Sequence, residues 1–129
     1  MAPLVAVVDD DLSVRESLES LIRSVGLDVR VSVSAEDFLI SPQSRKADCL
    51  VFDVRLPGMS GIDLHRHLVA QHYDVPVIFM TAHGFDDRAK AEAASDWTVA
   101  YLTKPFSGDD FLGAVAAALR VRQSRNQDR

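Results

Sequence analysis

Short apolar runs alternate with segments of mixed polarity along the chain. The runs "LVAVV", "CLVF", "VPVIFM" and "TVAYLT" are rich in β-branched residues, which is typical of strands buried on both faces. The weaker alternation in "LDVRVS" predicts one more strand. The predicted strands cover residues 4–8, 27–32, 48–53, 75–80 and 98–103.

The segments between these runs carry helical spacing or helix-capping residues. Apolar residues from Val14 to Val25 recur at intervals of four, three and four, so they line one face of a helix. Ser13 is expected to cap this helix and Gly26 to end it. Further helices are predicted at about residues 35–40, 62–71 (capped by Ser60), 86–94 and 108–121.

Alternating strands and helices predict an α/β fold with a doubly wound, five-stranded parallel sheet and five helices. A length of 129 residues suits one domain with one hydrophobic core. We expect residues 1–121 to form this domain and residues 122–129 to form a polar tail or the start of a linker.

Composition and charge narrow the possible functions. The net charge is −5 and no basic stripe is present, which argues against direct nucleic-acid binding. No apolar stretch reaches twenty residues, and "MAPLVAVVDD" lacks the cationic start of a signal peptide, so a cytoplasmic protein without a membrane span is expected. The single cysteine, Cys49, has no partner for an internal disulfide and is expected in the core.

Charged and hydroxyl side chains follow the predicted strands where the strands end. Because parallel strands present their carboxyl ends at one edge, these side chains are expected to converge there. Carboxylates at close range repel each other by about 4 kcal/mol per pair at 4 Å and an intermediate dielectric. One lysine and a divalent cation would offset this repulsion, and an all-oxygen site suits Mg²⁺ better than zinc. The side chains concerned are those of Asp9, Asp10, Asp11, Asp53, Thr81, Thr103 and Lys104.

Four motifs at these strand ends carry a family resemblance. "VVDDD", "VFDVRLPGMSG", "FMTAHG" and "YLTKPF" occur in the order found in the receiver domain of two-component response regulators. The chain resembles the FixJ-type branch most, over residues 4–119. The resemblance implies a flavodoxin-like sheet with strand order 2-1-3-4-5, and a phosphoacceptor function.

The resemblance also assigns roles to residues of the acidic edge. Asp53 would attack the phosphorus of a phosphohistidine and become an aspartyl phosphate. Asp9, Asp10, Asp53 and the backbone carbonyl of Arg55 would hold Mg²⁺, which neutralises charge for the transfer. Arg55 and His83 occupy positions that tune phosphate lifetime in the family.

The remaining roles concern the switch. Lys104 would pair with a phosphate oxygen, Thr81 would move to hydrogen-bond another, and Tyr101 would turn inward as Thr81 moves. The output would be a packing change on the face of helix four, strand five and helix five. The resemblance further implies a cis peptide bond before Pro105.

The resemblance implies a signalling module in a phosphorelay, and not an enzyme in the ordinary sense, with slow autodephosphorylation. Its partners would be a sensor histidine kinase or phosphotransfer protein, and a phosphorylation-dependent homodimer or effector protein. FixJ-type receivers usually precede a helix-turn-helix domain. A single-domain regulator and a fragment of a transcription factor both remain open.

A different class also fits part of the sequence. "VVDDDLS" matches the D-x-D pattern of haloacid-dehalogenase-type phosphatases, with Asp9 as nucleophile and Asp11 as acid. In those enzymes the lysine precedes the last acidic pair, whereas Asp86 and Asp87 come before Lys104 here. The chain also lacks room for a substrate cap, so the receiver is favoured.

Several residues have plainer interpretations. Asp11 is expected to begin the first helix, because acids favour its positive end. His65 and His67, two residues apart on a helix, point in different directions and are expected at the surface. Trp97 is expected to pack. The interval from Thr81 to Lys104 is one residue longer than is usual in the family, and the additional residue is expected around Ser95–Trp97.

Overall fold

The computed structural model describes residues 2–82 and 87–127, in which strands and helices alternate. The elements are β1 (Leu4–Val8), α1 (Leu12–Ser24), β2 (Asp28–Ser32), α2 (Ala35–Leu39), a 3₁₀ turn (Ser44–Lys46), β3 (Cys49–Asp53), α3 (Gly61–Ala70), β4 (Val77–Thr81), α4 (Asp87–Ala93), β5 (Thr98–Thr103) and α5 (Gly108–Gln127). The predicted α/β alternation is confirmed. The first residue of the predicted fourth helix, Asp86, lies outside the described residues.

The five strands form one parallel sheet in the order β2-β1-β3-β4-β5, as the resemblance implied. Successive side chains of each central strand enter opposite layers of the core, because strand side chains alternate between the two faces. In β1, for example, Val5 and Val7 enter one layer, and Ala6 and Val8 enter the other. Buried strands of this kind need apolar residues at every position, which explains the continuous apolar runs.

Two helical layers cover the sheet. One face carries α1 and α5, whose buried residues include Leu18 and Phe111. The opposite face carries α2 and α3, which contribute Phe38 and Leu64, with Ala93 from the end of α4. Cys49 is buried in the first of these layers, as predicted.

The start of α1 differs from the prediction. Asp11, and not Ser13, is the N-cap: its carboxylate accepts a hydrogen bond from the backbone N–H of Val14. The extended backbone at Asp11 places this acceptor ahead of the first turn, whereas Ser13 already lies inside the helix. The interpretation of Asp11 as the residue that begins the helix is confirmed, and Gly26, with φ of 81°, follows the helix end as expected.

The pairing of β4 with β5 contains a one-residue irregularity. Val77 pairs with Thr98 but Ile78 pairs with Ala100, so Val99 is skipped between them. The bulge lies close to Ser95–Trp97, where the sequence suggested an additional residue. Beyond it the register is regular to the site end of both strands.

The last helix continues through residues 122–127, where the sequence predicted a polar tail or linker. Two arginines of this extension contact the domain. Arg122 donates a hydrogen bond to the backbone oxygen of Asp74, and the guanidinium of Arg125 lies 4.1 Å from the ring centroid of Trp97. These contacts and continued helix formation give the polar segment its order, while the domain boundary at residue 121 stays a prediction. None of the helices described here has the length and apolarity needed to cross a membrane.

Candidate functional site

Two carboxylates lie side by side at the carboxyl-terminal edge of the sheet. Asp53 is the last residue of β3, and Asp9 directly follows β1. Val8 pairs with Phe52 in the adjoining strands, which places the two acids at the same level. Asp9 is fully buried and Asp53 is 6% exposed. Buried carboxylates require partners, since burial of an unpaired charge is very unfavourable.

Lys104 supplies that partner from the far side of the sheet. It directly follows β5, and its backbone N–H donates to the Thr81 carbonyl at 2.8 Å. Its Nζ lies 2.7 Å from Asp9 Oδ2 and 2.8 Å from Asp53 Oδ2. One ammonium group therefore joins the ends of three strands.

The other oxygen of each carboxylate is held by the backbone. Asp9 Oδ1 accepts a hydrogen bond of 2.9 Å from the N–H of Asp11, and Asp53 Oδ1 accepts one of 2.9 Å from the N–H of Arg55. Both bonds connect residues two positions apart, so the turn after each strand orients the carboxylate at that strand's end. The two carboxylates are thus fixed before any ligand arrives.

The ionisation of this group is coupled. Burial is the main reason that the pKa of Asp9 is raised, and the negative charge of Asp53 adds to the effect, while the hydrogen bonds from Lys104 and Asp11 oppose it. Burial would lower the pKa of Lys104, but its hydrogen bonds and charge interactions with Asp53 and Asp9 outweigh that effect and raise it. Lys104 is therefore a permanent cation at neutral pH.

Three carboxylates could share a cation at this edge. Asp9, Asp10 and Asp53 each offer one oxygen, and these oxygens lie within 4.8 Å of one another. Asp10 is exposed, so the cluster opens to solvent on its side. The three negative charges face one ammonium, and oxygen ligands suit a hard divalent cation. The donor set therefore fits a metal of this kind.

Thr81 and Tyr101 lie on the two strands beside the acidic cluster. Thr81 ends β4 and is 2% exposed. Tyr101 is half-buried, with its ring stacked 6.4 Å from that of Phe79. Its hydroxyl donates to the backbone oxygen of Lys90 in α4 at 3.4 Å. The tyrosine therefore connects β5 with the surface of α4.

The structure describes one of the two predicted modulators of phosphate lifetime. Arg55 is exposed on the loop after β3. His83 lies outside the described residues, so its predicted role is not addressed by the geometry. The peptide bond between Lys104 and Pro105 is cis, in agreement with the resemblance.

Two glycines shape the loop between β3 and α3. A Cβ added at Gly61 would overlap the backbone oxygen of Asp53 and lie 2.9 Å from its carbonyl carbon. Gly58 has φ of 76°, and Glu36 of α2 accepts a hydrogen bond from the N–H of Met59 beside it. This bond is the main reason that the pKa of Glu36 is lowered. The sequence identified the turn but not these contacts.

Arg15 is a further residue that sequence reasoning missed. Its guanidinium donates a hydrogen bond of 2.8 Å to the backbone oxygen of Asp9. Because Arg15 lies in the first turns of α1, this bond joins the helix to the end of β1. The sequence offered one signal for this contact: Arg15 lies one turn into a helix that directly follows the acidic run.

The prediction that His65 lies at the surface is wrong. His65 is 3% exposed, its Nε2 lies 2.7 Å from Ser95 Oγ, and its ring meets Phe79 edge-on at 5.6 Å. Burial lowers the pKa of His65 to about 4. The exposed position of His67 agrees with its prediction, and Trp97 is half-buried, as packing requires.

Comparisons with known proteins agree with this architecture. A family model described as the response regulator receiver domain matches residues 5–116. Nodulation protein W of Bradyrhizobium diazoefficiens is 43% identical over 124 residues, which make up 96% of this chain and 54% of that protein. Transcriptional regulatory protein FixJ of Azorhizobium caulinodans is 40% identical over 126 residues, or 96% of this chain and 59% of that protein. The chain spans about half the length of the curated relatives it matches.

Solved structures give the same result. The response regulator StyR superposes with a TM-score of 0.85 at 39% identity, covering 99% of this chain and 64% of that one. FixJ-N superposes with a TM-score of 0.80 at 35% identity, covering 93% of this chain and 95% of that one.

The phosphatase alternative gains no support, since the Asp11 carboxylate caps helix α1. The family model spans most of the chain, and the sheet gathers its acidic residues at one edge. This chain therefore belongs to the response regulator receiver domains, the phosphate-accepting modules of two-component signalling.

Proposed function

We propose that Asp53 is the residue that accepts the phosphoryl group, from a phosphohistidine on a sensor histidine kinase or phosphotransfer protein. The observation that carries this proposal is the bridge that Lys104 Nζ makes between Asp53 and Asp9. Asp53 attacks phosphorus through a carboxylate oxygen. A new O–P bond forms while the P–N bond to histidine breaks, and the bonding pair leaves with the imidazole nitrogen.

Lys104 is placed to stabilise the negative charge of the phosphoryl group as it is transferred to Asp53. It holds both acids before the reaction, so it can exchange its contact with Asp53 for a phosphate oxygen while it keeps Asp9. The backbone N–H of Arg55 holds the other carboxylate oxygen and limits rotation of the nucleophile. Positioning and charge stabilisation are most of what phosphoryl transfer requires of a protein.

The acidic cluster is proposed to hold Mg²⁺ through Asp9, Asp10, Asp53 and the backbone carbonyl of Arg55. When bound there, the ion supplies positive charge that reduces repulsion between the carboxylates and the incoming phosphoryl group. The all-oxygen donor set and the excess of three carboxylates over one lysine support this assignment.

The same site is proposed to control the surface formed by α4, β5 and α5. Thr81 would hydrogen-bond a phosphate oxygen, and Tyr101 would turn inward and give up its contact with the Lys90 backbone. Such a local change biases the packing of α4, on which a homodimer or an effector protein would depend. Hydrolysis of the phosphate would be slow, with Arg55 and His83 as modulators, in a cytoplasmic phosphorelay.

A groove beside Lys104 offers a surface for the phosphate donor. It has a volume of about 550 Å³, and its lining includes Leu18, Leu21 and Phe106. A donor protein that packs an apolar surface here would bring its phosphohistidine next to the carboxylates. The position of the groove, with Lys104 itself in the lining, supports this assignment.

Incubation with acetyl phosphate and Mg²⁺, followed by intact-protein mass measurement, tests the phosphoacceptor. The wild-type chain should gain one phosphoryl mass and Asp53→Asn none. Asp11→Asn is the matched control, because asparagine caps a helix as well as aspartate does, and it should behave as the wild type. Peptide mapping that located the phosphate on Asp9 instead would favour the phosphatase chemistry and overturn the proposal.

Sedimentation with and without beryllofluoride tests the output. We expect a change in mass or in partner affinity when the phosphate mimic is bound. An unchanged sedimentation coefficient together with unchanged partner affinity would contradict the proposed switch and leave the phosphoacceptor assignment intact.

A further inference from the structure

The amino-terminal edge of the sheet contains a second polar cluster, on the opposite side from Asp53. A cavity of about 270 Å³ opens there, between the turns that lead into β3 and β4 and the last part of α5. Its lining includes Arg45, Lys46, Tyr73 and Arg122. We define these four residues as the basic pocket.

Unpaired donors concentrate at this pocket. Among the described residues, four buried side-chain polar atoms lack a hydrogen-bond partner, and three of them belong to the basic pocket. These three are Arg45 Nε, Tyr73 Oη and Arg122 Nε. Buried polar groups in native proteins are nearly always paired with protein, water or ligand, so three such groups around a single cavity point to an acceptor that occupies it.

The two arginines make their hydrogen bonds through Nη1, to the backbone oxygens of Leu39 and Asp74, and their Nε atoms have no hydrogen-bond acceptor. Arg122 Nη1 donates to the Asp74 backbone oxygen, and its Nε forms an ion pair with Asp48 Oδ1 at 3.7 Å, which is too long for a hydrogen bond. The Arg45 guanidinium lies 5.2 Å from the centroid of the Tyr73 ring. That ring packs edge-on against Phe38, so its position is set by the core.

All three unpaired groups can donate a hydrogen bond. Two are guanidinium N–H groups, and burial raises the pKa of Tyr73 to about 12, so its phenol keeps its proton. Three cationic side chains line the cavity together with the carboxylate of Asp74, and a second carboxylate, that of Asp48, lies beside Arg122, which leaves one positive charge in excess. Donors with excess positive charge match an oxygen-rich anion, with arginine especially suited to carboxylate and phosphate groups.

We propose that the basic pocket binds a small oxyanion, through a carboxylate or phosphate group that accepts hydrogen bonds from Arg45, Tyr73 and Arg122. The volume admits a group of a few heavy atoms larger than one water. This site is separate from the acidic cluster, because it lies at the other end of the same strands. It therefore stands or falls independently of the phosphoacceptor assignment.

Titration with inorganic phosphate and with succinate, in Mg²⁺-free buffer at constant ionic strength set with chloride, tests the site. Backbone amide NMR should show saturable shifts at Ala47, Tyr73 and Val75. Shifts with both probes would indicate recognition of any oxyanion, and shifts with one probe would identify the phosphate or the carboxylate as the group that fits. Phosphate that binds beside Lys104 would shift a different set, around Asp53, and would not count for the pocket.

Tyr73→Phe removes one donor and keeps the packed ring. We expect the affinity for the probe anion to fall about tenfold, as for a lost hydrogen bond to a charged group. Without anion, thermal stability should be unchanged or higher, because an unpaired buried hydroxyl is removed. A structural role alone would predict the reverse, with lower stability and no effect on anion affinity.

Arg45→Gln is the second variant, and Arg30→Gln on the exposed surface of β2 is its control with the same change in net charge. Anion affinity should fall in the former and not in the latter. Equal responses of both variants to anion would indicate general charge screening, and the absence of shifts at the pocket would mean that water alone fills it. Either result overturns the proposal.

Discussion

The two edges of the sheet differ in the charged groups that gather there. At the carboxyl-terminal edge, the carboxylates of Asp9, Asp10 and Asp53 outnumber the ammonium group of Lys104, which already bonds two of them. At the amino-terminal edge, the basic pocket holds donors that have no acceptor. Carboxylates therefore exceed ammonium groups at the first edge and hydrogen-bond donors exceed acceptors in the basic pocket, although the net charge of −5 would suggest a uniformly acidic molecule.

The comparison shows how parallel strands separate chemistry within one small domain. All strands point in one direction, so residues that follow strands meet at one edge and residues that precede strands meet at the other. Asp53 ends β3, whereas Arg45 and Lys46 come just before it. A difference of a few positions in sequence thus becomes the full length of a strand in space.

Removal of the lysine at the acidic edge should have the largest effect. Lys104→Met removes the ammonium group that bonds the buried carboxylates of Asp9 and Asp53, so the free energy of unfolding in Mg²⁺-free buffer should fall by about 3 kcal/mol, measured by urea denaturation. Added Mg²⁺ should restore part of the loss. Lys90→Met, an exposed lysine, is the control and should change stability by less than about 0.5 kcal/mol. Equal losses would mean that Lys104 does not balance the acidic edge.

A side chain at Gly61 should disturb the same edge through the backbone. Gly61→Ala places a methyl group against the Asp53 carbonyl, so we expect a loss of about 2 kcal/mol of unfolding free energy and slower phosphorylation by acetyl phosphate. Gly113→Ala is the matched control, since open space surrounds that position in α5, and it should gain about 0.5–1 kcal/mol. Full phosphorylation of Gly61→Ala at wild-type rate would show that the edge tolerates a shifted Asp53 backbone.

The buried histidine gives a smaller, pH-dependent effect in the core between the edges. The pKa of His65 is lowered to about 4, so the unfolded chain takes up a proton near pH 6.5 while the folded chain does not. Stability from this residue is therefore complete above pH 6.5 and decreases on acidification, by about 2 kcal/mol down to pH 4.5. The measurement is the pH dependence of urea denaturation.

His65→Gln should lose this part of the pH dependence, whereas His67→Gln, at an exposed position on the same helix, should keep it. The difference between the two slopes isolates His65 from the carboxylates, which titrate in all variants. Parallel slopes would show that His65 is protonated as easily in the folded chain as in the unfolded one. The Nδ1 atom of His65 would then accept a proton in the folded chain as an exposed histidine does.

Local patterns located all five strands with limits correct to within two residues, and some helix ends were harder to predict. The predicted strand at residues 98–103 agrees in both limits with β5, because apolar β-branched runs between turn residues leave little choice. The cap of α1 was misplaced by two residues, since Asp11 and Ser13 are both good caps and only the backbone after β1 decides between them. The order of α5 beyond residue 121 depends on Asp74 and Trp97, which are distant in sequence.

The candidate residues of the acidic edge could be named from the ends of strands, but their contacts could not. Strand ends predicted that Asp9, Asp53 and Lys104 would converge, whereas the bridge by Nζ depends on the distance across β3, β4 and β5. The burial of His65 could not be predicted, because Ser95 and Phe79 reach it from other elements. Helical spacing gives the direction of each side chain around the helix axis. It does not show which other elements pack against that side chain.

The sequence by itself determined the alternation of elements, the direction of the strands and the types of side chain at each strand end, because these follow from local periodicity and chain connectivity. The tertiary structure alone decided which of these side chains form a hydrogen bond or a salt bridge, which glycine lies against the Asp53 backbone, and where buried donors have no hydrogen-bond acceptor. The physical reason is that pairing, exclusion of water and close packing depend on distances between residues far apart in the chain, and these distances exist only once both faces of the sheet are covered.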